Sequence, residues 1–155
     1  MYQTVYGSLS RQSRALAVLR DLLEEEYRLL LSRDMNAIAS LEFSVHELIR
    51  QIAAEKNFVS AALHGGMVMD YAAMLPEEQA LPLREFFQNI DDGEQAVSRQ
   101  ASRNAQLSLA LLEQSTRNLR ALTDMAMPPK AHTYGKKGGM SFLPRPEAAL
   151  ISGRL

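Results

Sequence analysis

Between Leu9 and Leu31 the large apolar residues return at steps of three and four: Leu16, Leu19, Leu23, Tyr27, Leu30. At 100° per residue they fall in one narrow stripe, while Arg20, Asp21, Glu24, Glu25 and Arg28 point away from it. Only an amphipathic helix keeps such a pattern on one side. Leu22 and Leu29 make a second stripe beside the first, so this helix is expected to touch two neighbours. Ser32-Arg33-Asp34 interrupts the pattern, and Asp34 is a good N-cap for a following helix.

The next helix is expected over Met35–Leu63, with Gly65-Gly66 as its stop signal. Its stripe is Ile38, Leu41, Val45, Leu48, Ile52, Val59 and Leu63, interrupted by Lys56. At 1.5 Å per residue this is a rod of roughly 43 Å. Two long amphipathic helices joined by a short link predict an antiparallel hairpin.

Met67 to Ile90 is less regular. Pro76 before Glu77-Glu78 has the look of a helix first turn, and Pro82 is expected to kink or end that helix. Short helices capping the bundle are the expectation here. Asp91-Asp92-Gly93-Glu94 is then expected to open a long helix that runs to about Ala126, where Pro128 stops it. Its apolar residues cover an arc of about 200°. Val97, Ala101, Leu107, Leu111, Leu122 and Met125 lie towards one side, and Ala105, Leu109, Leu112 and Leu119 towards the other. Asn104, Ser108 and Ser115 run between them. A helix with so wide a face packs on two surfaces, one of which need not be covered by this chain. No strand pattern, tight hairpin or βαβ unit is present in the sequence. The fold class is therefore all-α: an antiparallel long-helix hairpin, short helices and a long C-terminal helix in an elongated bundle.

Charge divides the chain. Net charge is −1 over 155 residues, but residues 128–155 carry Lys130, Lys136, Lys137, Arg145 and Arg154 against Glu147 alone. The same stretch holds Pro128, Pro129, Pro144 and Pro146 and four glycines. A basic segment so rich in proline and glycine is expected to be a disordered tail, with a helical body over 1–127. Tyr134, Phe142 and Leu143 argue that the tail does more than solubilise.

Composition excludes several kinds of chemistry. With no cysteine there is no disulfide framework, thiolate zinc site or cysteine nucleophile. Gly65-Gly66 and Gly138-Gly139 lack the spacing and the following Lys-Ser/Thr of a phosphate-binding loop. Glu42 and His46 share a helical face without a third ligand, so an ion pair is favoured over a metal. His64 is expected to favour the C-terminal dipole of the second helix. No catalytic residue, metal or cofactor is expected. The basic-aromatic cluster of Tyr134, Lys136 and Lys137 is too short for a nucleic-acid track. No apolar run approaches the roughly 20 residues of a membrane span, and the N-terminus lacks a signal-peptide pattern. A cytoplasmic location is expected. Met67, Met69, Met74, Met125 and Met127 gather at the ends of elements, suiting either adaptable binding surfaces or gap filling in the core.

Taken together, several features resemble the FlgN family of flagellar type III export chaperones. They are Leu22-Leu23-Glu24-Glu25-Glu26 leading to Leu30-x-x-x-Asp34, then Leu48-Ile49 and Glu55-Lys56. A long last helix with Asn104 and Asn118 in its apolar face follows, and Thr133-Tyr134-Gly135 in the tail. The resemblance covers roughly residues 9–140 and implies a cytosolic chaperone. Its cargo would be the hook–filament junction proteins FlgK and FlgL, held by their amphipathic C-terminal helices and delivered to the export gate and ATPase components. It further implies a cargo-binding face made of Leu107, Leu109, Leu111, Leu112, Leu119 and Leu122, and export-gate docking through Tyr134. Residues 143–155 match no family pattern. A scaffolding coiled-coil protein and a chaperone of a non-flagellar type III system are the alternatives.

Overall fold

The structure, a computed structural model, describes residues 1–126. They form four helices: α1 (Tyr2–Ser32), α2 (Met35–Ala62), α3 (Val68–Ala73) and α4 (Glu77–Ala126). The expected basic tail 128–155, Tyr134 within it and the 127/128 boundary lie outside the described residues. The chain forms two compact units, Met1–Leu109 and one that begins at Ala110.

In the first unit α1 and α2 make the expected antiparallel hairpin. Arg33 closes α1 in the left-handed conformation, φ 59°. Its N–H bonds Leu30 O at 3.2 Å, and the N–H of Asp34 bonds Leu29 O at 3.1 Å. Asp34 at once starts α2, its carboxylate accepting from the N–H of Ala37 at 3.0 Å. The same ending recurs on α2. His64 has φ 53°, its N–H bonds Ala61 O, and the N–H of Gly65 bonds Ser60 O at 2.8 Å. His64 thus occupies the left-handed position that usually belongs to glycine.

A seven-residue step organises the core. Leu9, Leu16, Leu23 and Leu30 are buried on α1, and Ile38, Ile52 and Val59 on α2 with Val45 half-buried. On α4 the row is Leu83, Ile90, Asn104 and the half-buried Val97. Such repeats are the seams of left-handed helix pairs. On α1 a second row runs Val5, Gln12, Leu19, which is why the helix begins at Tyr2 rather than near Leu9. Ser8 and Gln12 are polar and lie outside the leucine stripe, yet both are buried. The Ser8 hydroxyl donates to Glu55 Oε2 at 2.6 Å, and Gln12 Nε2 donates to Ser8 Oγ at 3.4 Å. Arg11 grips the same carboxylate with Nε at 2.5 Å and Nη2 at 2.9 Å. These bonds, the guanidinium first, hold the Glu55 carboxyl below the usual glutamate range.

α4 starts much earlier than the sequence predicts. It begins at Glu77, capped by Pro76, whose carbonyl accepts from the N–H groups of Gln79 and Ala80, both at 2.9 Å. Pro82 lies inside it and does not end it. The lost N–H and the crowding of an interior proline cost about 3 kcal/mol. Complete burial of Leu83 next to it, at about 1.5–3 kcal/mol, offsets most of that. Asp91 and Asp92 are likewise interior, where Gln95 donates to Asp91 Oδ2 at 2.9 Å and Gln88 to Asp92 Oδ1 at 3.2 Å. Only α3, ending at Ala73, keeps the expected character of a short helix.

Within this unit α4 runs parallel to α1. Tyr6 meets Phe86 edge to face at 5.2 Å, Gly93 lies against Leu16, and Asn104 bonds Leu23, so the contacts advance together along both helices. Lys56, the interruption in the α2 stripe, reaches Glu94 Oε1 on α4 at 2.6 Å.

Candidate helix-binding face

The leucines singled out on α4 divide by unit and by side. In the first unit the seven-residue row ends on Asn104, which is buried and donates to Leu23 O at 2.7 Å and Glu26 Oε2 at 2.8 Å. Gln100 donates to its Oδ1 at 2.9 Å, and the Arg103 guanidinium lies over the Tyr27 ring at 5.0 Å. Leu107 is half-buried and Leu109 is 58% exposed. Asn104 therefore belongs to the α1 contact, and not to a polar track between two binding surfaces.

In the second unit the described residues, 110–126, are the last part of α4. Leu111 is half-buried, whereas Leu112 (64%), Leu119 (56%), Leu122 (62%) and Met125 (83%) are exposed. Leu112, Ser115, Leu119, Leu122 and Ala126 are spaced alternately by three and four residues, one continuous stripe along the helix, so Leu122, expected on the other side from Leu112 and Leu119, lies within about 80° of both. Leu111, Asn118 and Met125 flank it on one side, Thr116 and Thr123 on the other. All four charged residues of the segment, Glu113, Arg117, Arg120 and Asp124, fall in an arc of about 60° on the opposite side.

The threonines are less polar than their names suggest. Thr116 Oγ1 donates to Leu112 O and Thr123 Oγ1 to Leu119 O, each at 2.9 Å. With the hydroxyls bonded back to their own helix, the methyl groups are what remain for the flank. Sequence reading missed this, because a threonine hydroxyl and methyl are interchangeable until the rotamer is known.

The face offers no reactive group. It can bury apolar area against another helix, with side chains that recur at the spacing such a partner needs. Glu42 and His46 are both exposed on α2, and among the described residues no group of three His, Asp or Glu could hold a metal ion. No described helix is long and apolar enough to cross a membrane.

Comparison with known proteins gives one clear finding. The FlgN protein family matches residues 1–141, nearly the whole chain. Searches among curated proteins and among solved structures returned no match. Proteins of that family are flagellar export chaperones that bind flagellar proteins. By this match, and in keeping with its helical hairpin and long last helix, the chain belongs to the FlgN family.

Proposed function

We propose that this protein is a cytoplasmic export chaperone for FlgK and FlgL that holds the amphipathic C-terminal helices of its cargo on the last part of α4. The stripe of Leu112, Leu119 and Leu122 carries the proposal, since exposed apolar side chains recurring at helical spacing are what a partner helix buries. Leu111 borders that stripe. Leu109 and Leu107, in the first unit, belong to the cargo face only through the family resemblance. The same resemblance gives Tyr134 the role of docking on the export gate, with residues 128–155 serving delivery rather than cargo binding.

Calorimetric titration of the full chain with peptides spanning the C-terminal helices of FlgK and FlgL tests this. Binding with a negative heat-capacity change is expected, the mark of apolar burial. The triple change Leu112→Ala, Leu119→Ala, Leu122→Ala removes exposed side chains only, so the helices survive and binding is lost. Unchanged affinity in that variant would refute the face.

A further inference from the structure

We propose that the stripe on residues 110–126 recognises a helix without ion pairs: its occupant is an amphipathic helix uncharged on its apolar face and on both flanks of that face. This rests on the cargo-helix reading above and specifies the chemistry of the partner. Helices that choose partners by charge place acids and bases beside the apolar seam, where they set partner identity and direction. Here the two flanks are Leu111, Asn118 and Met125, and Thr116 and Thr123. None carries a charge, and both threonine hydroxyls are bonded to their own helix. Glu113, Arg117, Arg120 and Asp124 face away from the stripe. A charged residue on the partner's flank would lose water against this surface and gain no counter-ion. A neutral flank loses nothing comparable. Selection therefore rests on apolar shape, with Met125 free to adapt at one edge and Ser115 leaving room for a larger side chain in the middle.

The test uses the full-length protein and three synthetic helices of three heptads. They share one leucine stripe and differ only in flanks of Gln, Lys or Glu. The Gln-flanked peptide is expected to bind tightest, with a Kd that moves less than about twofold between about 0.05 M and 0.5 M salt. Lys- and Glu-flanked peptides are both expected to be weaker. In the protein, Thr116→Val with Thr123→Val keeps affinity, whereas Thr116→Lys with Thr123→Lys weakens the Gln peptide and creates a preference for the Glu peptide. A charged peptide that binds wild type tighter than the Gln peptide, with the gain lost in high salt, overturns the inference and leaves the cargo-helix reading standing. If no helix binds, including the FlgK and FlgL segments, the cargo-helix reading falls and this inference with it. Sedimentation of the chain alone is expected to be independent of concentration. A dimer dissolved by the Thr→Lys pair would make a second copy the occupant and overturn the inference as well.

Discussion

Asn104 of α4 donates to the backbone carbonyl of Leu23 on α1 across 2.7 Å, a bond between residues 81 positions apart that fixes how far the two helices slide past each other. A buried polar residue in an otherwise apolar seam commonly sets register at a cost in stability. Asn104→Ala removes the donors from Leu23 and Glu26 and is expected to lower stability by about 1–3 kcal/mol in urea unfolding. Asn104→Leu should regain that loss while no longer selecting one register, seen as broadened amide resonances along α1 and α4.

Glu55 makes the hairpin sensitive to acid. Its carboxyl lies below the ordinary glutamate value because Arg11 and then Ser8 bond the charged form. A carboxyl lowered in the folded state contributes stability that is fully present above the unfolded value of about 4.3 and is lost as pH falls through the folded value. Unfolding followed from pH 7 to pH 2 should show wild type losing stability below about pH 4.3 more steeply than Glu55→Gln. The two curves should converge at the acid end.

At the ends of α1 and α2, Arg33 and His64 hold left-handed backbone that an L-residue adopts at a cost. His64→Gly removes that strain while making the unfolded chain looser. The net expectation is a gain of about 0.5–1 kcal/mol, or about 2–4 °C per kcal/mol in thermal unfolding.

Gly93 is an interior helical residue, where glycine is weaker than alanine by about 1 kcal/mol. A Cβ there would meet Leu16 at 3.5 Å, ordinary contact. Gly93→Ala should therefore stabilise by up to about 1 kcal/mol, and Gly93→Leu should destabilise by about 1–3 kcal/mol through overpacking. Chemical denaturation of the pair checks both signs.

Much of this architecture was legible from leucine spacing. The stripes of α1 and α2 and the Asp34 cap are local signals, and local signals survive folding unchanged. What could not be read depends on distant partners. Nothing local marks Ser8 and Gln12 as buried, because that depends on Glu55 arriving from α2. Pro82 and Asp91-Asp92-Gly93 look like boundaries until the burial of Ala80 and Leu83 and the glutamine bonds to both aspartates outweigh them. Asn104 reads as part of an open face until Leu23 covers it. The exposed leucines were visible as an arc, but the back-bonded hydroxyls of Thr116 and Thr123, which leave their methyl groups beside it, were not.

The seven-residue step shared by α1, α2 and α4 in the first unit also limits how this chain can change in length. Removing one residue from a helix turns everything beyond it by about 100° and carries the following row out of the seam. Three or four inserted residues locally overwind or unwind it. Only whole sevens preserve the packing of the helices. Within the first unit, the link between Leu63 and Met67, exposed from His64 to Met67 and carrying no row, tolerates single residues better than the helices do.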